Sequence, residues 1–354
     1  MIPRTASLLQ TTELTEAQIQ TETRSWQAQL SAASLSASAL LEQLGLSFED
    51  FADCGVDLQP DFPLRVPASF IDKMRRGDPA DPLLLQVLPL GLENQSTPGF
   101  SADPLGEGPA TAVPGLLHKY RSRALLITSP ACAIHCRYCF RRHFPYQDNR
   151  PSKANWQAAV SYVTDHTEIN EIILSGGDPL AASDRHLDEL LSALEAIPHL
   201  KRIRWHSRLP VVLPDRICHS WLQRIKQSPL RHYMVIHSNH AQELGQDVAE
   251  ACSRMRAAGI SLLNQTVLLR GINDEADILS ALSERLDELG VRPYYLHVLD
   301  RVEGAAHFEV SEQHAQQLMA ELQTELPGFL VPILVREEAG RDHKTRLPAE
   351  PHQS

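Results

Sequence analysis

The chain has 354 residues, 43% of them hydrophobic and 22% charged, which is enough apolar material for a sizeable core and excludes a disordered or collagen-like chain. Its 33 lysines and arginines against 44 aspartates and glutamates give a net charge of −11, so no diffuse positive field exists to hold a nucleic acid. No apolar run approaches the roughly 20 residues that span a bilayer, and the polar start of the chain (Arg4, Leu8, Leu9, Gln10, Thr11) lacks the apolar region of a signal peptide, so a cytoplasmic protein with no membrane contact is expected.

In chain order, residues 14–55 read as helices, with Trp26, Leu30, Leu40, Leu41, Leu44 and Leu46 as the apolar positions. The stretch 60–114 is Pro-rich and irregular apart from a helical piece at 68–76, because Pro79, Pro82, Pro98, Pro104 and Pro109 break it. After Gly115 short apolar runs at 123–128, 171–175, 202–206, 233–238, 260–269, 292–299 and 329–335 alternate with segments of helical period such as 156–166, 187–197, 247–258 and 276–289. Strand and helix in alternation predict parallel βαβ units with right-handed crossovers, six of which would form an open or partly closed barrel. In such α/β folds the chemistry gathers beyond the carboxyl ends of the strands. The unusual residues fall there: the loop 129–143 with its cysteines, Ser175-Gly176-Gly177-Asp178-Pro179, Ser207-Arg208, the stretch 237–240, and Asp300.

Six cysteines in a chain without a secretory signal read as thiols or metal ligands rather than a disulfide framework. Cys132, Cys136 and Cys139 stand in C-x3-C-x2-C spacing. Three thiolates on one loop can hold three irons of a cubane cluster and leave the fourth open to a ligand. Zinc, with His135 or His143 as fourth ligand, and three unrelated thiols are the alternatives; no second C-x2-C knuckle accompanies the loop. Cys54, Cys218 and Cys252 are scattered and read as ordinary buried thiols.

The triplet, with Tyr138 before its last cysteine and Gly176-Gly177-Asp178 one strand later, resembles the radical S-adenosylmethionine superfamily. The segments 114–120, 139–142, 207–212, 264–270 and 292–295 look like the lysine 2,3-aminomutase family within it, and 141–146, 296–300 and 304–308 are similar to the subgroup that makes β-lysine for elongation factor P. The resemblance runs from roughly residue 60 to 347. It implies a partial (β/α)6 radical SAM barrel over 111–335, an N-terminal helical and irregular cap over 1–110, and a C-terminal segment, 336–354, that carries a cofactor lysine.

By that resemblance Cys132, Cys136 and Cys139 ligate a [4Fe-4S] cluster, while Gly176, Gly177 and Asp178 hold the methionine amino group of S-adenosylmethionine and Gln265 lies near the same cofactor. Lys344 holds pyridoxal 5'-phosphate as a Schiff base, and Lys119 and Arg123 bind its phosphate. Arg141 pairs with the α-carboxylate of lysine, and Asp300 and Glu337 with its distal ammonium. The larger members of the family carry a glycine run where this chain has Arg341-Asp342-His343, and aspartate where it has Glu337. By the same resemblance a chain that ends this soon after Lys344 is expected to do without the cysteine-containing C-terminal extension of the larger enzymes. The implied activity is an isomerase that converts L-α-lysine to (R)-β-lysine by a radical 1,2-amino shift. Its implied partners are free L-lysine, an electron donor and, functionally, the elongation factor P ligase; a homo-oligomer is left open. The rivals are an aminomutase for another amino acid such as glutamate, and an iron-sulfur sensor without turnover, in which Lys344, Arg141 and the carboxylate pair would have no purpose.

Overall fold

In the computed structural model, which describes residues 26–146 and 152–349, the expected alternation becomes one sheet whose strands follow chain order from β1 to β10. Seven consecutive strands are parallel: β3 (Arg123–Ser129), β4 (Glu171–Gly176), β5 (Arg202–Ser207), β6 (Arg231–His237), β7 (Ser261–Val267), β8 (Arg292–His297) and β9 (Ile333–Arg336). Helices Lys153–Asp165, Asp184–Glu195, His219–Lys226, Gln246–Ala257, Ala276–Glu288 and Glu312–Glu325 bridge them. β1 and β10 have no pairing with each other, so the barrel is open.

Local sequence explains where these helices begin. The hydroxyls of Ser152, Ser183 and Ser311 accept from the backbone N–H three residues on, satisfying donors that each first turn leaves free. Helix Asp184–Glu195 then buries Leu187, Leu190, Leu191 and Leu194, an i, i+3, i+4, i+7 stripe, and each such leucine contributes about 1.5 to 3 kcal/mol by leaving water.

Two edge elements escape the sequence reading. β1 (Thr111–Val113) and β2 (Leu116–Tyr120) form an antiparallel hairpin onto β3. Gly115, at φ 84°, makes the turn, and its carbonyl accepts from the Ile127 N–H. At the other edge the two-residue β10 (Thr345–Arg346) pairs antiparallel with β9. β1 and β10 are too short for a period-two pattern to register, and Leu116-Leu117-His118-Lys119-Tyr120 of β2 does not alternate.

The N-terminal part is helical over 26–32 and Ala37–Leu44, with a 3-10 turn at Phe48–Phe51; the expected helix before residue 26 lies outside the described residues. The piece expected at 68–76 is helical only over Ala68–Ile71. One continuous cluster of buried side chains runs from Trp26, Leu40 and Phe70 to Trp205, Trp221 and Met234 under the sheet.

The strands show an alternation that fully covered parallel sheets lack. Along β5, Ile203 and Trp205 are buried against the helices, whereas Arg202, Arg204 and His206 point to the other face and are half-buried. That polar face is the wall of a cavity.

Candidate active site

The cavity, about 570 Å³, opens at the carboxyl ends of the parallel strands, and its lining includes all three clustered cysteines. In sequence order β3 to β8 end at Ser129, Gly176, Ser207, His237, Val267 and His297, and the register sets these ends side by side: Ser129 opposite Gly176, His237 opposite Gln265, Val267 opposite His297.

The cysteine loop leaves β3 and is stitched onto the end of β4. The N–H groups of Gly177 and Asp178 donate to the carbonyls of Ser129 and Ala131 at 2.7 and 2.8 Å. A Cβ on Gly176 would lie 2.5 Å from the Ser129 carbonyl oxygen, and one on Gly177 would lie 2.6 Å from that of Ala131. Gly176 also has φ 124°. The two glycines are therefore required first by the close passage of the cysteine loop itself. Asp178 spends its carboxylate on the chain: Oδ1 accepts from Ser207 Oγ at 2.8 Å and from Leu180 N–H at 3.0 Å, Oδ2 from Arg208 and Leu209 N–H at 2.8 and 3.2 Å. Burial pushes its pKa up to about 6 against the pull of these donors.

Cys132, Cys136 and Cys139 are free, half-buried thiols. Burial and their mutual proximity push Cys132 well up and Cys139 up to about 11. Among the described residues no three His, Cys, Asp or Glu side chains converge on a single ion. A cubane asks for a different arrangement, with each thiolate on its own iron, and the loop, the paired glycines and the shared cavity fit that group. The two histidines weighed for zinc are engaged elsewhere: His135 Nδ1 meets the Pro63 carbonyl at 2.7 Å, with its ring stacked on Phe62, and exposed His143 meets the Glu303 carbonyl at 3.4 Å. Cys218 and Cys252 are buried as expected, but Cys54 is only half-buried, because it sits on a surface turn where its thiol reaches the Phe51 carbonyl.

Arg141 is buried in the same cavity. Its Nε and Nη2 donate to the two carboxylate oxygens of Glu107 at 2.8 and 2.7 Å, and its Nη1 donates to Ser175 Oγ at 3.1 Å. Glu107 has no signal in the sequence; it lies 34 residues from Arg141 in an irregular segment. At another part of the wall Lys344 forms an ion pair with Glu337, which also accepts from Tyr120 Oη at 2.7 Å. Burial alone would raise the Glu337 carboxyl, but Lys344, Tyr120 and Lys119 hold it below the usual range. For Asp300 burial wins and pushes the pKa up to about 7, Lys344 notwithstanding. Asp300 and Glu337 also line a second cavity of about 650 Å³, so they stand on the divide between the two.

Lys119 donates to the Leu105 carbonyl at 3.2 Å, and Arg123 lies over the Tyr120 ring at 3.9 Å; both line the cavity with Lys344 and Gln265. Three histidines that sequence reasoning did not single out as ligands join them. The Nε2 atoms of His206, His237 and His297 are buried without a hydrogen-bond partner among the described residues, and burial holds all three imidazoles below their usual pKa. Orphaned polar atoms on a cavity wall are what a ligand-binding face leaves when drawn without its ligand.

The radical SAM superfamily model matches residues 126–282. L-lysine 2,3-aminomutase of Escherichia coli is 50% identical over 328 residues, which cover 93% of this chain and 96% of that one. This chain belongs to the lysine 2,3-aminomutase family. The Haemophilus influenzae member is 48% identical over 92% of this chain and 96% of its own, and the Clostridium subterminale member 35% identical over 76% and 64%. The aminomutase family consists of radical SAM isomerases, and its radical SAM domain implies a [4Fe-4S] cluster and S-adenosylmethionine. No helix among the described residues is long and apolar enough to cross a membrane.

Proposed function

We propose that this aminomutase converts L-α-lysine to (R)-β-lysine in the cytoplasm, with a [4Fe-4S] cluster on Cys132, Cys136 and Cys139, S-adenosylmethionine, and pyridoxal 5'-phosphate on Lys344. The observation that carries the reading is one cavity holding the three thiols, a buried arginine fork and, on another part of its wall, Lys344 beside two carboxylates. When bound, the cluster with S-adenosylmethionine supplies a hydrogen-abstracting radical and pyridoxal phosphate carries the migrating amino group.

The chain's own residues do the rest. Arg141 orients the substrate carboxylate, with Glu107 holding the guanidinium in place. Asp300 and Glu337 pair with the distal ammonium, which could not enter a dry cavity unpaired. Lys119 and Arg123 supply the cations for a phosphate. Gly176, Gly177 and Gln265 line the cavity with the three cysteines, where S-adenosylmethionine is proposed to bind. Lys344 and Glu337 hold one another, so with Lys344 holding the cofactor, Glu337 would be left to the substrate. The exposed turn Arg341-Asp342-His343 stands where larger relatives carry a glycine run. The enclosing walls keep water and oxygen from the radicals. A glutamate substrate is disfavoured, since its second carboxylate would face Asp300 and Glu337.

The supply of β-lysine to an elongation factor P ligase rests on the likeness of 141–146, 296–300 and 304–308 to that subgroup. The deciding experiment is anaerobic incubation of reconstituted enzyme with labelled lysine, S-adenosylmethionine, pyridoxal phosphate and dithionite, followed by chiral chromatography. Labelled (R)-β-lysine is expected. Conversion of glutamate with lysine untouched would overturn the assignment.

A further inference from the structure

Of the buried arginines that the steps above leave unused, Arg208 is the one set against a clustered cysteine. Arg208 follows β5, and its side chain is 7% exposed. Its Nη1 donates to Cys136 Sγ at 2.6 Å and to Tyr138 Oη at 2.7 Å, and its Nη2 donates to Gln86 Oε1 at 2.7 Å and to Glu243 Oε2 at 3.3 Å. The supports are themselves held. Gln86 donates to Glu243 and to the Pro82 carbonyl, Asn239 Nδ2 donates to both Gln86 and Tyr138, and the Arg208 N–H is fixed on Asp178. Arg208 Nε is buried without a partner among the described residues. A guanidinium cannot lose its proton in a protein, so this is a permanent positive charge, fixed from several sides and set against the sulfur of one of the three cysteines.

We infer that Arg208 is a positioning residue for the cluster: it holds the Cys136 thiolate in its ligating orientation and, by its charge and hydrogen bond, raises the cluster's reduction potential, with Glu243 tempering that effect. The physical reason is that one-electron reduction adds negative charge to a centre already carrying thiolates, and a nearby donor and cation favour the more negative state. Glu243, fully buried and 3.3 Å from the guanidinium, offsets part of the field. The inference rests on the reading of Cys132, Cys136 and Cys139 as cluster ligands.

The test uses full-length protein reconstituted anaerobically, with iron and sulfide content and an EPR-monitored redox titration as readouts, neither of which requires turnover. Arg208→Gln should keep the fold by circular dichroism and become harder to reduce. The reduced-to-oxidised ratio at a fixed poise should fall by about tenfold, or about 59 mV for a one-electron couple. Arg208→Lys should shift it less, and Glu243→Gln should shift it the opposite way. If folded Arg208→Gln loses its iron while Arg208→Lys keeps it, the holding of Cys136 is supported; if Arg208→Gln does not fold, the sign of the Glu243→Gln shift decides. A wild-type midpoint in iron-loaded Arg208→Gln, or a Glu243→Gln shift in the same direction as Arg208→Gln, overturns the inference. A wild-type chain that binds no iron at all would instead defeat the cluster reading beneath it.

Discussion

The two ends of the cavity are built differently. Around the cysteine loop every approach is braced: Glu93 binds Arg137 and Arg142 at 2.5 and 2.7 Å, Arg137 reaches the Phe62 carbonyl at 2.7 Å, and the His135 and Arg137 N–H groups donate to the carbonyls of Arg65 and Gln86. Around Lys344 the bracing is thin: residues 339–343 are exposed, and the segment is tied to the sheet by the two-residue β10. The difference follows the chemistry proposed for each end. A cluster must hold its thiolates in fixed geometry, whereas a lysine that exchanges its bond to a cofactor for a place beside Glu337 needs freedom to move.

The comparison can be broken at several points. The largest effect belongs to the braced end, where Cys132→Ala, Cys136→Ala or Cys139→Ala should each abolish the anaerobically reconstituted cluster while Cys218→Ala or Cys252→Ala keeps it, as read by iron content. Next is the brace itself. Glu93→Gln leaves two buried arginines short of their carboxylate, and the loss of one partner from a buried pair should cost about 3 to 5 kcal/mol in denaturant unfolding. At the adjustable end Glu337→Gln should cost about 2 to 3 kcal/mol of substrate recognition, roughly 30- to 160-fold in kcat/KM, with the cluster spectrum intact.

Asp300 adds a pH dependence of known sign. Its carboxyl is raised to about 7, so below that pH it is protonated and cannot pair with an ammonium, whereas Glu337, held low, stays ionised. The kcat/KM for lysine should therefore fall as pH drops below about 7, and Asp300→Asn should flatten that limb of the profile. Asp342→Ala, in the exposed turn, should leave the denaturant midpoint unchanged; a clear drop would show that the turn before Lys344 is braced after all.

Much of this was readable in the residues, for identifiable reasons. The seven parallel strands announced themselves as apolar runs because the outward face of each, such as Ile203 and Trp205, packs under helices. The cysteine spacing and Gly176-Gly177 were legible because both are local constraints. The supporting network was not, since its partners meet only in three dimensions: Gln86 and Glu243 lie 157 residues apart, Arg208 and Cys136 lie 72 apart. Nor was the hairpin of β1 and β2, whose second strand carries Lys119 and Tyr120 to the cavity without an apolar-polar alternation to mark it.

Asp300 and Glu337 carry the proposed preference for lysine by reading the distal ammonium of the substrate. The direct measurement is the anaerobic turnover of lysine against norleucine, which lacks that ammonium, by the unmodified enzyme and by the Asp300→Asn/Glu337→Gln double variant. Lysine should be strongly preferred by the unmodified enzyme and the preference should shrink in the double variant. Equal turnover of the two substrates by the unmodified enzyme would contradict the lysine assignment.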